Sequence, residues 1–131
     1  MEGVYVSNHG GRQLDHGRGT IEILPEVVGA VGGKATIIVD GGFMRGTDVV
    51  KGIALGADCV GMGRLACCGL AAAGEEGLVR LLELLEAEIR NCLGLLGLDR
   101  LGVLDRTYLH PAAPVSHPDV TSAFPLLREG Y

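Results

Sequence analysis

The sequence predicts an α/β fold built on a parallel sheet, and three observations carry that expectation. Three short runs, Gly3–Val6, Thr36–Val39 and residues 59–62, are dense in apolar residues without polar alternation. Each run is followed by glycines and then by apolar residues at helical spacing. A strand–helix order repeated in this way calls for parallel neighbours joined by crossover helices. Strands without alternation are expected where both faces of a sheet are covered.

After the first run, Ile21, Leu24, Val27, Val28 and Val31 recur at helical spacing, and Gly32-Gly33 ends the pattern. Pro25 fits best near the first turn of that helix. After the second run, "GTDVVKGIALGA" reads as a helix capped by Thr47 or Asp48 and closed by Gly56. After the third comes a small-residue segment, 66–74, and then a long helix over about 75–96. Leu78, Leu81, Leu82, Leu85, Ile89, Leu93 and Leu96 form the apolar face of that helix, and Glu86 pairs with Arg90 one turn on. The long helix reads as scaffold. The chain is expected to be one partial barrel domain over residues 1–131, with an irregular, Pro- and Ser-rich tail from about residue 108.

Composition narrows the function classes. The 131 residues suffice for one ordinary domain, and 47% of them are hydrophobic, enough for a core. The 22 glycines far exceed the usual share of about 7%, so many tight turns or close backbone approaches are expected. A net charge of −5 with no basic stripe argues against a nucleic-acid partner. No apolar run approaches the ~20 residues of a transmembrane segment, and no signal-peptide pattern opens the chain. Cys59, Cys67, Cys68 and Cys92 show no CxxC spacing and read as reduced, buried thiols of a cytoplasmic protein. None of His9, His16, His110 and His117 stands at zinc spacing to another ligand, so no metal is expected.

The chemistry-bearing residues gather where the strands give out. In α/β architectures ligands lie beyond the carboxyl ends of the strands. The first run ends in "SNHGGRQLD", the second in Asp40, Gly41 and Gly42, the third in Gly63 and Arg64. Glycines there let backbone N–H groups approach an anion, the helix start beyond adds its positive end, and an arginine adds a charge-assisted contact to phosphate. Barrels of the (β/α)8 type often hold phosphate on the loops after strands seven and eight, which would make the first run strand six. The first end differs in kind. A histidine such as His9 can take a proton, and Arg12 can grip a carboxylate through two parallel hydrogen bonds. A base beside a carboxylate clamp points to chemistry next to a carboxylate.

At these residues the chain resembles the FMN-dependent 2-hydroxy-acid oxidases and dehydrogenases, the family of glycolate oxidase, lactate oxidase, mandelate dehydrogenase and the flavin domain of flavocytochrome b2. "SNHGGRQLD" carries the resemblance most specifically; "VDGGFMRGTDVVKGIALGAD" and "VGMGRL" are similar to the next two blocks. The resemblance implies the C-terminal part, about strands six to eight, of a (β/α)8 TIM barrel. It implies FMN as cofactor, oxidation of a small L-2-hydroxy acid to the 2-oxo acid, and a homo-oligomer for the full-length enzyme. By position it places His9 on the active-site base and Arg12 on the carboxylate clamp. Ser7 falls on a flavin contact. Asp40, Gly41 and Gly42 fall on the loop that holds the ribityl chain and phosphate, and Gly63 and Arg64 on the phosphate contact.

Two departures stand out. Met44 occupies the place of a phosphate-binding arginine, with Arg45 next to it counted among the cofactor-binding residues, and Leu65 replaces a common proline. The family's flavin-contacting lysine, its substrate tyrosines and the aspartate that orients its histidine have no counterpart, so the chain is expected to be the C-terminal piece of such an enzyme and inactive alone. Two other readings stay open: a non-catalytic phosphate-binding or assembly module, and a different phosphate-binding barrel such as an isomerase or a decarboxylating synthase. The last accounts for Gly63 and Arg64 but not for His9 with Arg12.

Overall fold

The structure is a computed structural model that describes residues 2–14 and 16–112. Three strands, β1 (Gly3–Val6), β2 (Thr36–Val39) and β3 (Cys59–Val60), form one parallel sheet in the order β1-β2-β3. Helix α1 (Thr20–Val31) joins the first pair and α2 (Gly46–Ala54) the second, while α3 (Arg64–Leu95) follows the third strand. These are the three βα units expected for the C-terminal part of a (β/α)8 barrel. β3 is shorter than the expected 59–62: Gly61 N–H donates to the Val39 carbonyl at 2.8 Å, and the chain then leaves the sheet toward α3.

Period-two geometry sorts the strand residues onto two faces. Val6, Ile37 and Val39 point to one face and pack with Leu24, Phe43 and Ala57 into the core. Leu24 and Val39 are wholly buried. Tyr5, Ile38 and Cys59 are register partners across the other face. There Tyr5 is 56% exposed, so the chain covers one face of its sheet and leaves the other open. The expectation of two covered faces is corrected on this point; in a closed barrel the second face lines the interior.

Helix α1 starts one turn earlier than Pro25 suggests. The Gly19 carbonyl accepts from Glu22 and Ile23 N–H, which places Pro25 inside the helix rather than in its first turn. Gly32 ends it in the left-handed conformation, its N–H donating to the Val28 carbonyl at 3.0 Å. At α2 the N-cap residue is Arg45, and Asp48 reaches back from the third helical position. Its carboxylate accepts from the Met44 and Arg45 N–H groups at 3.1 and 3.0 Å.

Ala73 and Gly74 take non-helical angles inside α3, so a small-residue limb precedes the expected long limb. The long limb packs on α2, burying Leu85 and Leu93 along with Val50 and Ala54. Glu86 and Arg90 pair at 2.6 Å. The rest of the predicted apolar stripe is less covered, and Leu82 and Leu96 are exposed, because no described element packs on that side. The cysteines are likewise less buried than expected. Cys59, Cys67 and Cys68 are exposed and Cys92 half-buried, since they sit on the open sheet face and on uncovered helix surface. Beyond the one-turn helices Leu101–Val103 and Arg106–Tyr108, residues 109–112 have no regular structure, and the remainder of the tail lies outside the described residues.

Backbone approaches closely between α2 and α3. A Cβ at Gly46 would lie 2.5 Å from Glu88 Cβ and 2.7 Å from the Ile89 nitrogen. Backbone cannot yield as a side-chain tip can. Gly46→Ala is therefore expected to push the two helices apart and cost about 1–3 kcal/mol, seen as a lower midpoint in thermal unfolding. Leu24→Ala, which empties the centre of the core, is expected to cost about 2–5 kcal/mol in denaturant unfolding.

Candidate active site

Because the three strands run parallel, their carboxyl ends share one edge of the sheet, and the loops leaving that edge carry the residues singled out in the sequence. After β1 the chain makes a tight turn. Ser7 Oγ accepts from His9 N–H at 3.1 Å, Asn8 Oδ1 from Gly10 N–H at 2.9 Å, and the Asn8 carbonyl from Gly11 N–H at 2.9 Å. His9 (φ 52°) and Arg12 (φ 26°) are the non-glycine residues with positive φ among the described residues. Such conformations cost on the order of 1–3 kcal/mol each and cluster at functional sites. Both side chains belong to exposed residues.

The loop after β2 is held from below and from the side. The Thr20 hydroxyl, at the buried start of α1, donates to the Asp40 carbonyl. Gly41 and Gly42 have φ of 100° and 84°, and a Cβ on Gly41 would stand 2.7 Å from Thr20 Oγ1 and 3.5 Å from Asn8 Oδ1. The positive φ and the Thr20 hydroxyl so close to that position favour glycine there, and Asn8 of the first loop stands nearby. Phe43 turns back into the core, where its ring lies against Gly52 of α2.

After β3 the chain passes Gly61 and Met62 to Gly63, which begins α3. Among the described residues no side chain caps this helix and a Cβ at Gly63 would meet nothing within 4 Å, and Arg64 is exposed. The first N–H groups of α3, an arginine and the glycine turn at the end of the adjacent strand β2 are the kinds of group that suit an anion such as a phosphate. Tyr5 reaches over this region from the open face, its hydroxyl sitting where a Cβ of Gly61 would be. Partial burial of that hydroxyl and the charge of Asp40 nearby raise the Tyr5 phenol above its ordinary range.

Arg45, counted among the cofactor-binding residues, pairs with a carboxylate of α3. Its Nε donates to Glu88 Oε1 at 2.7 Å and its Nη2 lies 2.6 Å from the same oxygen, so the guanidinium is engaged by α3. Glu88 Oε2 accepts from Gly46 N–H at 2.6 Å. The Arg45 hydrogen bond and the Gly46 N–H hold the Glu88 carboxyl below its ordinary range. Met44, exposed beside Arg45, brings no charge to the edge. Tyr5, Thr20 and Glu88 are neighbours of the candidate site that sequence reasoning missed. The start of a helix in front of a glycine loop was a faint signal for Thr20; Tyr5 and Glu88 gave none.

Residues 1–111 match the FMN-dependent dehydrogenase family. Among curated proteins, L-lactate oxidase of Nostoc sp. is 44% identical over 82% of this chain, and human 2-hydroxyacid oxidase 1 is 48% identical over 82%. The chain spans 29% of the length of each. Among solved structures, a mandelate oxidase aligns over 76% of this chain and 31% of its own, with 51% identity and a TM-score of 0.73. A monotopic membrane protein, (S)-mandelate dehydrogenase, aligns over 85% of this chain and 29% of its own, with 42% identity and a TM-score of 0.80. With a parallel sheet that gathers its loops on one edge and a family match over residues 1–111, the chain belongs to the FMN-dependent dehydrogenases.

Proposed function

We propose that this chain forms the proton-accepting and phosphate-holding side of an enzyme that uses FMN to oxidise a small 2-hydroxy acid to the 2-oxo acid. The observation that carries the reading is the pair His9 and Arg12, both at positive φ on the loop that leaves β1 at the same sheet edge as the Gly41 and Gly42 turn after β2. FMN, when bound, supplies the acceptor for the two electrons. Ser7 and Asp40 stand at the strand ends where the flavin would lie. The Gly41 and Gly42 turn, Gly63, the start of α3 and Arg64 suit the phosphate, while Arg45 is left to Glu88. Arg12 grips the substrate carboxylate and so fixes which face of the substrate meets the histidine. His9 Nε2 or Nδ1, whichever is unprotonated, takes a proton from the substrate. The open sheet face and free strand edges leave this arrangement wet, so the chain by itself is expected to bind FMN weakly and to form no 2-oxo acid. The same open face favours a second reading, a phosphate-binding or assembly module without catalysis.

Flavin fluorescence titration checks the phosphate assignment. Arg64→Ala is expected to weaken FMN binding by about tenfold or more, the loss of one charge-assisted bond, with riboflavin binding little changed. His9→Ala is expected to leave both affinities alone. The clamp is checked by adding lactate or pyruvate to the FMN-loaded chain and recording flavin absorbance. Arg12→Met should lose the spectral response and His9→Asn keep it; equal responses in all variants would favour the non-catalytic reading. A yellow sample of the unaltered chain that consumes lactate, glycolate or mandelate would overturn the expected inactivity.

A further inference from the structure

We propose that Glu88 is a positioning residue that fixes the loop between β2 and α2 and thereby sets the phosphate side of the site. This deepens the function proposed above and rests on it for the identity of the ligand. Glu88 lies on the long limb of α3, 42 residues from Gly46 in the chain. Its two carboxylate oxygens hold both the main chain and a side chain of the loop: Oε2 takes the Gly46 N–H, and Oε1 takes the Arg45 guanidinium. The missing side chain of Gly46 permits this, because a Cβ there would overlap the Glu88 Cβ.

The arrangement decides where an anion can be held. The positive end of α2 is already occupied by two protein carboxylates: Asp48 takes the Met44 and Arg45 N–H groups, and Glu88 takes that of Gly46. Phosphate is thus directed away from α2, to the Gly41 and Gly42 turn and the uncapped start of α3. Between the Thr20 contact at Asp40 and the Glu88 contact at Gly46, the loop is tied at both ends, with Phe43 buried between them. Glu88 so acts through the loop and not on the ligand.

The test compares Glu88→Gln and Glu88→Ala with Glu86→Gln, which removes a carboxylate from the same helix that pairs with Arg90. Amide hydrogen exchange over residues 44–48 and the ratio of FMN to riboflavin affinity are measured on the full chain. Glu88→Ala is expected to speed exchange at Gly46 by about tenfold and to lower the affinity ratio by about as much, one hydrogen-bond's worth of ordering. Glu88→Gln, which keeps an acceptor oxygen, should fall between Ala and the unaltered chain, and Glu86→Gln should change neither. Unchanged exchange in Glu88→Ala overturns the proposal. So does a raised FMN affinity, which would mean that Glu88 withholds Arg45 from the phosphate. If the unaltered chain binds neither flavin, the cofactor reading fails, and the exchange rates alone decide whether Glu88 holds the loop.

Discussion

Parallel hydrogen bonding among the three strands is the constraint on which the site depends. Each β1-β2 and β2-β3 pairing must be closed by a helix that returns the chain to the same starting edge. All carboxyl ends therefore emerge together, whatever residues follow them. The sequence then places histidine and arginine at one end, paired glycines at the next, and an uncapped helix start with an arginine at the last. A fold that mixed strand directions would have scattered the same residues over two edges.

Rigidity at this edge comes from groups that do no chemistry. Thr20 holds the Asp40 carbonyl from within the core, Phe43 anchors the middle of the loop in apolar surroundings, and Glu88 closes its far end. The first loop is set differently, by Ser7 and Asn8 side chains that bond its own N–H groups. Those local bonds hold His9 and Arg12 in backbone conformations that non-glycine residues avoid. The cost is tolerable only because the turn around them leaves little alternative.

Much of this was legible in the sequence, and the part that was not has a common cause. The two four-residue strands follow from dense Val and Ile, and α1 and the long limb of α3 from their apolar spacing. The glycine turns were legible because glycine after a strand has few other uses. The end of β3 was not, since its last pairing depends on a Gly61 bond to Val39 on another strand. Thr20 and Glu88 act on partners 20 and 42 residues away, and no local pattern encodes such a contact. Arg45 was counted among the cofactor-binding residues beside Met44, and its pairing with Glu88 of α3 is a long-range contact of the same kind. The burial of the cysteines and of the α3 stripe was overestimated for the converse reason: apolar spacing tells which side a residue faces, not whether anything stands opposite.

The phenol of Tyr5 spans the open face from the first strand, past the second, to the glycine that follows the third. Position 61 is bare because position 5 is large. Because Tyr5 is 56% exposed, a side chain at 61 would turn the phenol tip out into the open face rather than part the strands.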